Sequence, residues 1–230
     1  MVTPVLGIPV VSRPDLLRAC LASIDLPVRL VVIDNSGTGE MGDIAAEYGA
    51  LVVEPAANLG WTASVNHIIR SFPHEPYWLV ANADAEFHPG DLQRLVDEPG
   101  GWVGVTDWRV FKLTAETVER VGFWDESFFV YCSDADYERR ADLAGIDRHF
   151  IPGQTSHVGS ATIQEARYGA HNQHSYPAEV AYYSRKWGVP VRAAGGFTTP
   201  FDEGGHLGEW RLDLSHLRQV SWHDRDGGPR

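Results

Sequence analysis

The sequence is poor in cysteine and has no long apolar run. Cys20 and Cys132 are its two cysteines, too few for a disulfide framework or for a zinc site built on cysteine, so we expect a reducing compartment. No apolar run approaches the roughly 20 residues that a membrane-spanning helix needs. The N-terminus also lacks a basic segment followed by a long apolar one, so no secretion signal is predicted. These absences favour a cytoplasmic protein without a membrane span.

Basic residues are also scarce. The 230 residues include 19 Lys and Arg against 31 Asp and Glu, which gives a formal charge of −12. Such a surface repels phosphate backbones and argues against a broad nucleic-acid binder. It remains compatible with a basic pocket that holds one phosphorylated ligand. With 43% hydrophobic residues the chain can form a core, which excludes the disordered and fibrous classes.

Short apolar runs alternate with helix-like segments over the first two thirds of the chain. Predicted strands cover residues 5–11, 30–33, 51–53 and 77–81, and predicted helices cover 16–24, 40–48, 61–70 and 89–98. This alternation predicts an α/β fold with a mostly parallel central sheet and helices on both faces. A polar helix is predicted from Asp134 to about residue 145, followed by a loop over 168–174 and a helix over 178–187. We expect a single domain over residues 1–192 and a C-terminal arm or tail over 193–230, where periodicity is weak.

Polar residues follow the predicted strands at their carboxyl ends, where ligands of parallel sheets bind. Asn82 and Asp84 follow the strand 77–81, and a carboxylate with a second oxygen ligand two residues away can hold Mg²⁺ or Mn²⁺ against a phosphate. Asp34 ends an earlier strand, where it can accept hydrogen bonds from a ribose or a base. A turn stabilised by Asn and Asp side chains is the alternative interpretation at both places.

Two further candidates come later in the chain. Asp134 and Asp136 flank one residue at a predicted helix start, which suits a general base and its neighbour. Capping of the helix is the alternative, and the two roles can coexist. His157 completes a metal site only if the fold brings it beside Asp84, and is otherwise an ordinary surface or core histidine.

In their order along the chain, these segments resemble the family-2 glycosyltransferases of GT-A fold, and within them the small inverting, rhamnosyltransferase-like branch. The resemblance spans about residues 4 to 188 and rests on residues 10–24, 31–36, 58–61 with Asn66, 79–84 with Pro89 and Gly90, 121–129, 134–136 with Arg140, and His157. Asn82 stands where the family's metal motif often has aspartate, so Asp84 is the main carboxylate there. Ser133 stands where a glutamate is common.

The resemblance implies a GT-A sheet of the nucleotide-diphospho-sugar transferase type and an inverting, metal-dependent transfer of a sugar. The donor would be a UDP- or dTDP-sugar, and the acceptor hydroxyl would belong to a glycan, a lipid-linked sugar, a small molecule or a modified nucleobase. Asp134 would be the general base, and Asp84 and His157 would hold Mn²⁺ or Mg²⁺. The residues implied for substrate binding are Pro9, Val11, Asp34, Asn58, Gly60, Asn66, Asn82, Trp124, Asp136 and Arg140. Acceptor selection is expected in the loops around Trp108 and Trp124, in the tail, or on another subunit of a homo-oligomer.

Two other functions stay open. A nucleotidyltransferase-like enzyme usually has a glycine-rich loop after its first strand, and residues 9–15 lack one. A non-catalytic nucleotide-sugar-binding module would be expected to lose Asp84 or Asp134, and both are present. A nicotinamide enzyme would need a G-x-G-x-x-G turn that the sequence does not have there.

Overall fold

The computed structural model describes residues 3–157 and 165–202. Its strands are β1 (Val5–Val10), β2 (Arg29–Asp34), β3 (Leu51–Val53), β4 (Tyr77–Ala81), β5 (Ala85–Glu86), β6 (Trp102–Val105), β7 (Asp107–Thr114), β8 (Arg148–Ile151) and β9 (Ser156–His157). Its helices are α1 (Pro14–Ala22), α2 (Glu40–Glu47), α3 (Gly60–Ser71), α4 (Asp91–Asp97), α5 (Ala115–Val121), α6 (Ser133–Leu143) and α7 (Ala166–Trp187). No helix in the described ranges is long and apolar enough to cross a bilayer.

Seven of these strands form one sheet in the order β3-β2-β1-β4-β7-β6-β8. The pairs β1·β2, β1·β4, β2·β3 and β6·β8 are parallel, and only β7 runs against its neighbours. The prediction of a mostly parallel sheet is therefore confirmed. Since β7 is antiparallel, its first residues lie at the same edge of the sheet as the carboxyl end of β4.

Strands β1, β2 and β4 are buried on both faces, which is why they read as apolar runs rather than as alternating patterns. On one face Leu6 and Ile8 of β1 pack in a cluster with residues of α1, α2 and α4. On the other face Val5 packs in a second cluster with residues of α3, α5 and α6. Gly7 lets α3 approach the sheet, because an added Cβ would collide with Ile68.

The late helix differs from its prediction. Residues 168–174 are predicted as a loop, but α7 begins at Ala166 and contains them. The prediction is wrong because the glycine and the polar residues of this stretch were taken as loop signals, whereas the helix continues through them and through Pro177. The first residues of the predicted arm pack on the domain: the Phe197 amide donates to the Trp187 carbonyl at 2.8 Å, and Arg139 donates to the Phe197 carbonyl at 2.8 Å. Residues 203–230 of the arm lie outside the described residues.

Candidate active site

A cavity of about 1160 Å³ opens at the carboxyl edge of the central sheet. Its walls come from the end of β1, the turn after β4, the start of α3, the start of β7 and the segment that leads into α6. This is the edge at which parallel α/β sheets bind their ligands. Seven predicted site residues line it, namely Pro9, Val11, Asn58, Gly60, Asn82, Asp84 and Asp134.

Asp84 lies half-buried in the turn after β4. Burial raises the pKa of this carboxyl above its ordinary value, while the nearby positive charges of Arg109 and Arg13 act in the opposite direction. Among the side chains that the structure describes, which exclude those of residues 157–164 and 166–173, none donates a hydrogen bond to its carboxylate. A partly desolvated carboxylate without a donor is poised to accept a cation or a hydrogen-bonding ligand.

Asn82 is held in place by three contacts. Its side-chain oxygen accepts a hydrogen bond from Nε1 of Trp61 at 3.2 Å, its amide donates to the Arg109 carbonyl at 2.8 Å, and its carbonyl accepts from the Ala85 amide at 3.1 Å. The last bond closes the turn that carries Asp84. A turn therefore exists here, but a backbone hydrogen bond closes it rather than an Asn or Asp side chain. The turn presents Asp84 to the cavity.

Asp134 lies in the first turn of α6, where a carboxylate interacts favourably with the helix dipole. Its Oδ2 accepts a hydrogen bond from Nη2 of Arg192 at 2.9 Å, and the two side chains are 40% and 68% exposed. An ion pair this exposed contributes roughly 0–1 kcal/mol, so a ligand can displace Arg192 at small cost.

His157 lies next to the Asp84 turn along the backbone. In the antiparallel pair of β5 and β9, His157 is opposite Ala85, one residue from Asp84; the side chain of His157 lies outside the described part of the structure. The segment before it is anchored by the fully buried Asp91, whose Oδ2 accepts from the Gln154 amide at 3.0 Å and from the amide and hydroxyl of Thr155 at 2.9 and 2.7 Å. Within the described ranges no three His, Cys, Asp or Glu side chains converge as a metal site would require.

Three other predicted binding residues are buried away from the cavity lining. Asp34 accepts hydrogen bonds from the amides of Ser36 at 2.8 Å and Gly42 at 2.9 Å, which fixes the turn before α2. Asn66 donates to the Trp124 carbonyl at 2.8 Å and accepts from the Trp124 amide at 2.9 Å. Trp124 stacks on Tyr137 with ring centroids 4.1 Å apart.

Asp136 and Arg140, the remaining two, belong to a network of charges beneath α6. Asp136 is fully buried and accepts from Nε of Arg140 and from Nε1 of Trp187, both at 2.9 Å. Lys186 lies 2.7 Å from Asp136 and 2.6 Å from Asp125. The network joins α6 to α7 and to the segment before α6, so it fixes the helix turn that carries Asp134.

Several cavity residues were missing from the sequence-based set. Arg13 and Arg109 lie near Asp84. Neither residue stands in a cluster of basic residues along the chain, so the sequence gave no signal for a basic site there. Glu138 and Asp142 line the cavity together with Asp134, and their spacing of four residues on a predicted helix is a signal that could have found them.

The chain is similar in sequence to known glycosyltransferases. Residues 6–105 match the model of glycosyl transferase family 2. An uncharacterized glycosyltransferase of Mycobacterium bovis is 35% identical over 92 residues, which are 40% of this chain and 41% of that protein, and two Mycobacterium tuberculosis proteins match to the same extent. The match thus spans about two fifths of the length of these curated relatives.

Solved structures extend the likeness of fold. Glucosyl-3-phosphoglycerate synthase from Mycobacterium tuberculosis, solved with Mn²⁺ and UDP-glucose, aligns over 84% of this chain and 82% of its own with 15% identity and a TM-score of 0.56. S. aureus TarS aligns over 66% of this chain and 36% of its own with 10% identity and a TM-score of 0.53. At these identities the likeness concerns the fold, which is the GT-A fold.

Proposed function

We propose that this chain, whose residues 6–105 match the model of glycosyl transferase family 2, transfers a sugar from a nucleotide-diphosphate sugar to an acceptor hydroxyl with inversion of configuration. One observation carries the proposal: a single cavity at the carboxyl edge of the sheet joins Asp84, which lacks a described donor, to Asp134 at the start of α6. Asp84 would bind the cation that accompanies the donor diphosphate, and Asp134 would accept the proton of the acceptor hydroxyl.

The donor would lie across the ends of β1 and β4. Pro9, Val11, Asn58 and Gly60 line this part of the cavity and would surround the nucleoside. The side chains of Arg13 and Arg109 lie near enough to Asp84 to affect its charge, and they would lie beside the diphosphate. A UDP- or dTDP-sugar fits this arrangement. The UDP-glucose bound in the mycobacterial synthase of the same fold supports a UDP-sugar.

A divalent cation fits the chemistry of Asp84, because a half-buried carboxylate with a raised pKa gains most from a positive partner. Asp84 would hold Mn²⁺ or Mg²⁺ together with His157, whose backbone the β5·β9 pair places alongside. When bound, such an ion offsets negative charge on a leaving diphosphate. The Mn²⁺ in the mycobacterial synthase supports this assignment.

Asp134 would take the proton of the acceptor hydroxyl as that oxygen attacks the anomeric carbon. The hydroxyl would replace Arg192 as the partner of Oδ2, which its exposed ion pair permits. Attack from the face opposite the leaving diphosphate inverts the configuration in one displacement. We assign Asp34, Asn66, Trp124, Asp136 and Arg140 to holding the cavity walls, since each is engaged in the contacts described above.

Chromatographic release of nucleoside diphosphate from a panel of UDP- and dTDP-sugars tests the proposal. Wild-type protein with Mn²⁺ should release UDP or dTDP from at least one donor, and Asp134→Asn should lower transfer by about 100-fold or more while donor binding is retained. Asp43→Asn, an exposed carboxylate on α2, is the control and should match wild type. Donor binding without release in any condition would identify a binding module instead, and a fully active Asp134→Asn protein would remove the base assignment.

A further inference from the structure

The cavity continues beyond Asp134 along one face of α6. Asp134, Glu138 and Asp142 are spaced by four residues, so they lie on one face of the helix, and all three line the cavity. One helical turn, about 6 Å along the axis, separates Asp134 from Glu138. That distance is comparable to the width of one sugar ring. A ring whose hydroxyl reaches Asp134 would therefore extend over Glu138.

Two aromatic side chains line the cavity in this region. Trp108 stacks on the buried Trp102 with ring centroids 3.7 Å apart, and its Nε1 donates to Glu138 at 2.7 Å. The ring of Phe150 lies 4.3 Å from that of Trp108, and Phe150 is 44% exposed. An exposed aromatic ring inside a cavity with polar groups beside it is a typical ligand-contacting surface.

The position of Phe150 is fixed by Gly104 on the neighbouring strand. A Cβ at Gly104 would lie 2.8 Å from Cδ1 of Phe150 and 2.5 Å from the Asp107 carbonyl oxygen. The ring therefore packs directly on the backbone of β6, and its orientation does not depend on a ligand. This preorganisation lowers the entropy cost of binding.

The charged side chains of this region already neutralise one another. Arg148 donates to the two carboxylate oxygens of Asp142 at 2.6 and 2.9 Å, and a third contact joins it to Glu138 at 3.4 Å. A phosphorylated or carboxylated ligand would have to displace these carboxylates to reach the guanidinium. Uncharged hydroxyls can donate to the same carboxylates without breaking the pair.

We propose that Trp108, Glu138, Arg148 and Phe150 form an acceptor subsite for an uncharged sugar ring. The apolar face of the ring would stack on Phe150, and its hydroxyls would bond to Glu138 and Arg148. The proposal rests on the proposed glycosyl transfer for its link to Asp134, and it names the acceptor as a neutral glycoside rather than a phosphorylated molecule.

Saturation-transfer NMR and fluorescence titration of the full chain with UDP and Mn²⁺ present test this subsite. The probes are the methyl glycosides of glucose, galactose, mannose and rhamnose, with 3-phosphoglycerate as the anionic probe. We expect at least one glycoside to bind more tightly than 3-phosphoglycerate, and Phe150→Ala to weaken its binding about tenfold. Phe150→Leu keeps the apolar bulk, so its affinity for the glycoside should lie between those of wild type and Phe150→Ala. Phe201→Ala is the matched control, because Phe201 is 51% exposed and lies outside the cavity lining.

A second variant tests the exclusion of anions. Asp142→Asn frees Arg148 from its bidentate partner, so binding of 3-phosphoglycerate should strengthen by about tenfold. Three results would overturn the subsite: no binding of any glycoside, equal binding to wild type and Phe150→Ala, or tighter binding of 3-phosphoglycerate to wild type than of any glycoside. Release of nucleoside diphosphate from the donor panel is followed on the same proteins. If no nucleoside diphosphate is released, the proposed transfer is contradicted but the subsite is not. The dependence of glycoside binding on Phe150 is measured by NMR and fluorescence, which need no turnover.

Discussion

Removing one carboxylate from the charge network beneath α6 should destabilise the protein in a pH-dependent way. The Lys186 side chain is 5% exposed and contacts Asp125 at 2.6 Å and Asp136 at 2.7 Å. Asp125 also accepts a hydrogen bond from the Tyr182 hydroxyl at 2.8 Å. Asp125→Asn keeps the shape of this side chain and removes its charge. The variant therefore isolates the electrostatic part of the network.

The magnitude follows from the pKa of Asp125. Burial alone would raise this pKa, but the hydrogen bond and charge of Lys186, with the Ser127 amide, outweigh it and lower the pKa from 3.8 to about 2. Each pKa unit corresponds to about 1.4 kcal/mol, so the ionised carboxylate contributes about 2 kcal/mol to the free energy of unfolding at neutral pH. Because the folded pKa is the lower one, this contribution is complete above the unfolded pKa of 3.8. It is lost as the pH falls through about 2, and about half of it remains near pH 3.

Urea denaturation followed by tryptophan fluorescence measures this contribution in wild type and Asp125→Asn between pH 7 and pH 3. The difference in unfolding free energy should be about 2 kcal/mol at pH 7 and about half as large at pH 3. Asp43→Asn, on the exposed side of α2, should show no such pH-dependent difference. A loss of stability that is the same at both pH values would refute the electrostatic reasoning and indicate a packing defect instead.

Three further predictions concern variants of single residues. Asp84→Asn should weaken Mn²⁺ binding, measured by electron paramagnetic resonance of the free ion, and lower transfer by about 100-fold. Arg192→Ala should change the free energy of unfolding by less than about 1 kcal/mol in urea denaturation, since its ion pair with Asp134 is exposed. Gly7→Ala should destabilise the protein by about 1–3 kcal/mol in the same assay, because the new methyl group meets Ile68.

The central sheet was predictable from the sequence because its strands form continuous apolar runs, and those of β1, β2 and β4 are buried. The predicted strands at 30–33, 51–53 and 77–81 lie within or match the observed β2, β3 and β4, since continuous apolar runs between turn residues have few other interpretations. Strand β7 has a weaker apolar pattern than these strands. Its first residues include Asp107 and Arg109, which form an ion pair with each other. This part of the strand therefore lacks the apolar pattern of a buried strand.

The cavity was predictable at strand ends and at the start of the helix that carries Asp134. Asn82, Asp84 and Asn58 follow strands, so the rule for parallel sheets found them. Asp34 also follows a strand, yet its carboxylate turns inward to the amides of Ser36 and Gly42, and no local pattern distinguishes these two orientations. Arg192 reaches Asp134 from 58 residues away, a contact that only tertiary packing decides.

The charge of the cavity changes the interpretation of the acidic composition. A basic pocket was compatible with the formal charge of −12, but the described lining is balanced. Its charged members are Arg13, Arg109, Arg139, Arg148 and Arg192 with Asp84, Asp107, Asp134, Glu138 and Asp142. Most of these arginines already contact a carboxylate or a carbonyl, so little free positive charge is left to meet a diphosphate. A donor that carries two negative charges must therefore bring a cation or break existing ion pairs. Under the proposed function, the carboxylate of Asp84 would hold that cation, which would make co-binding the less costly of the two routes.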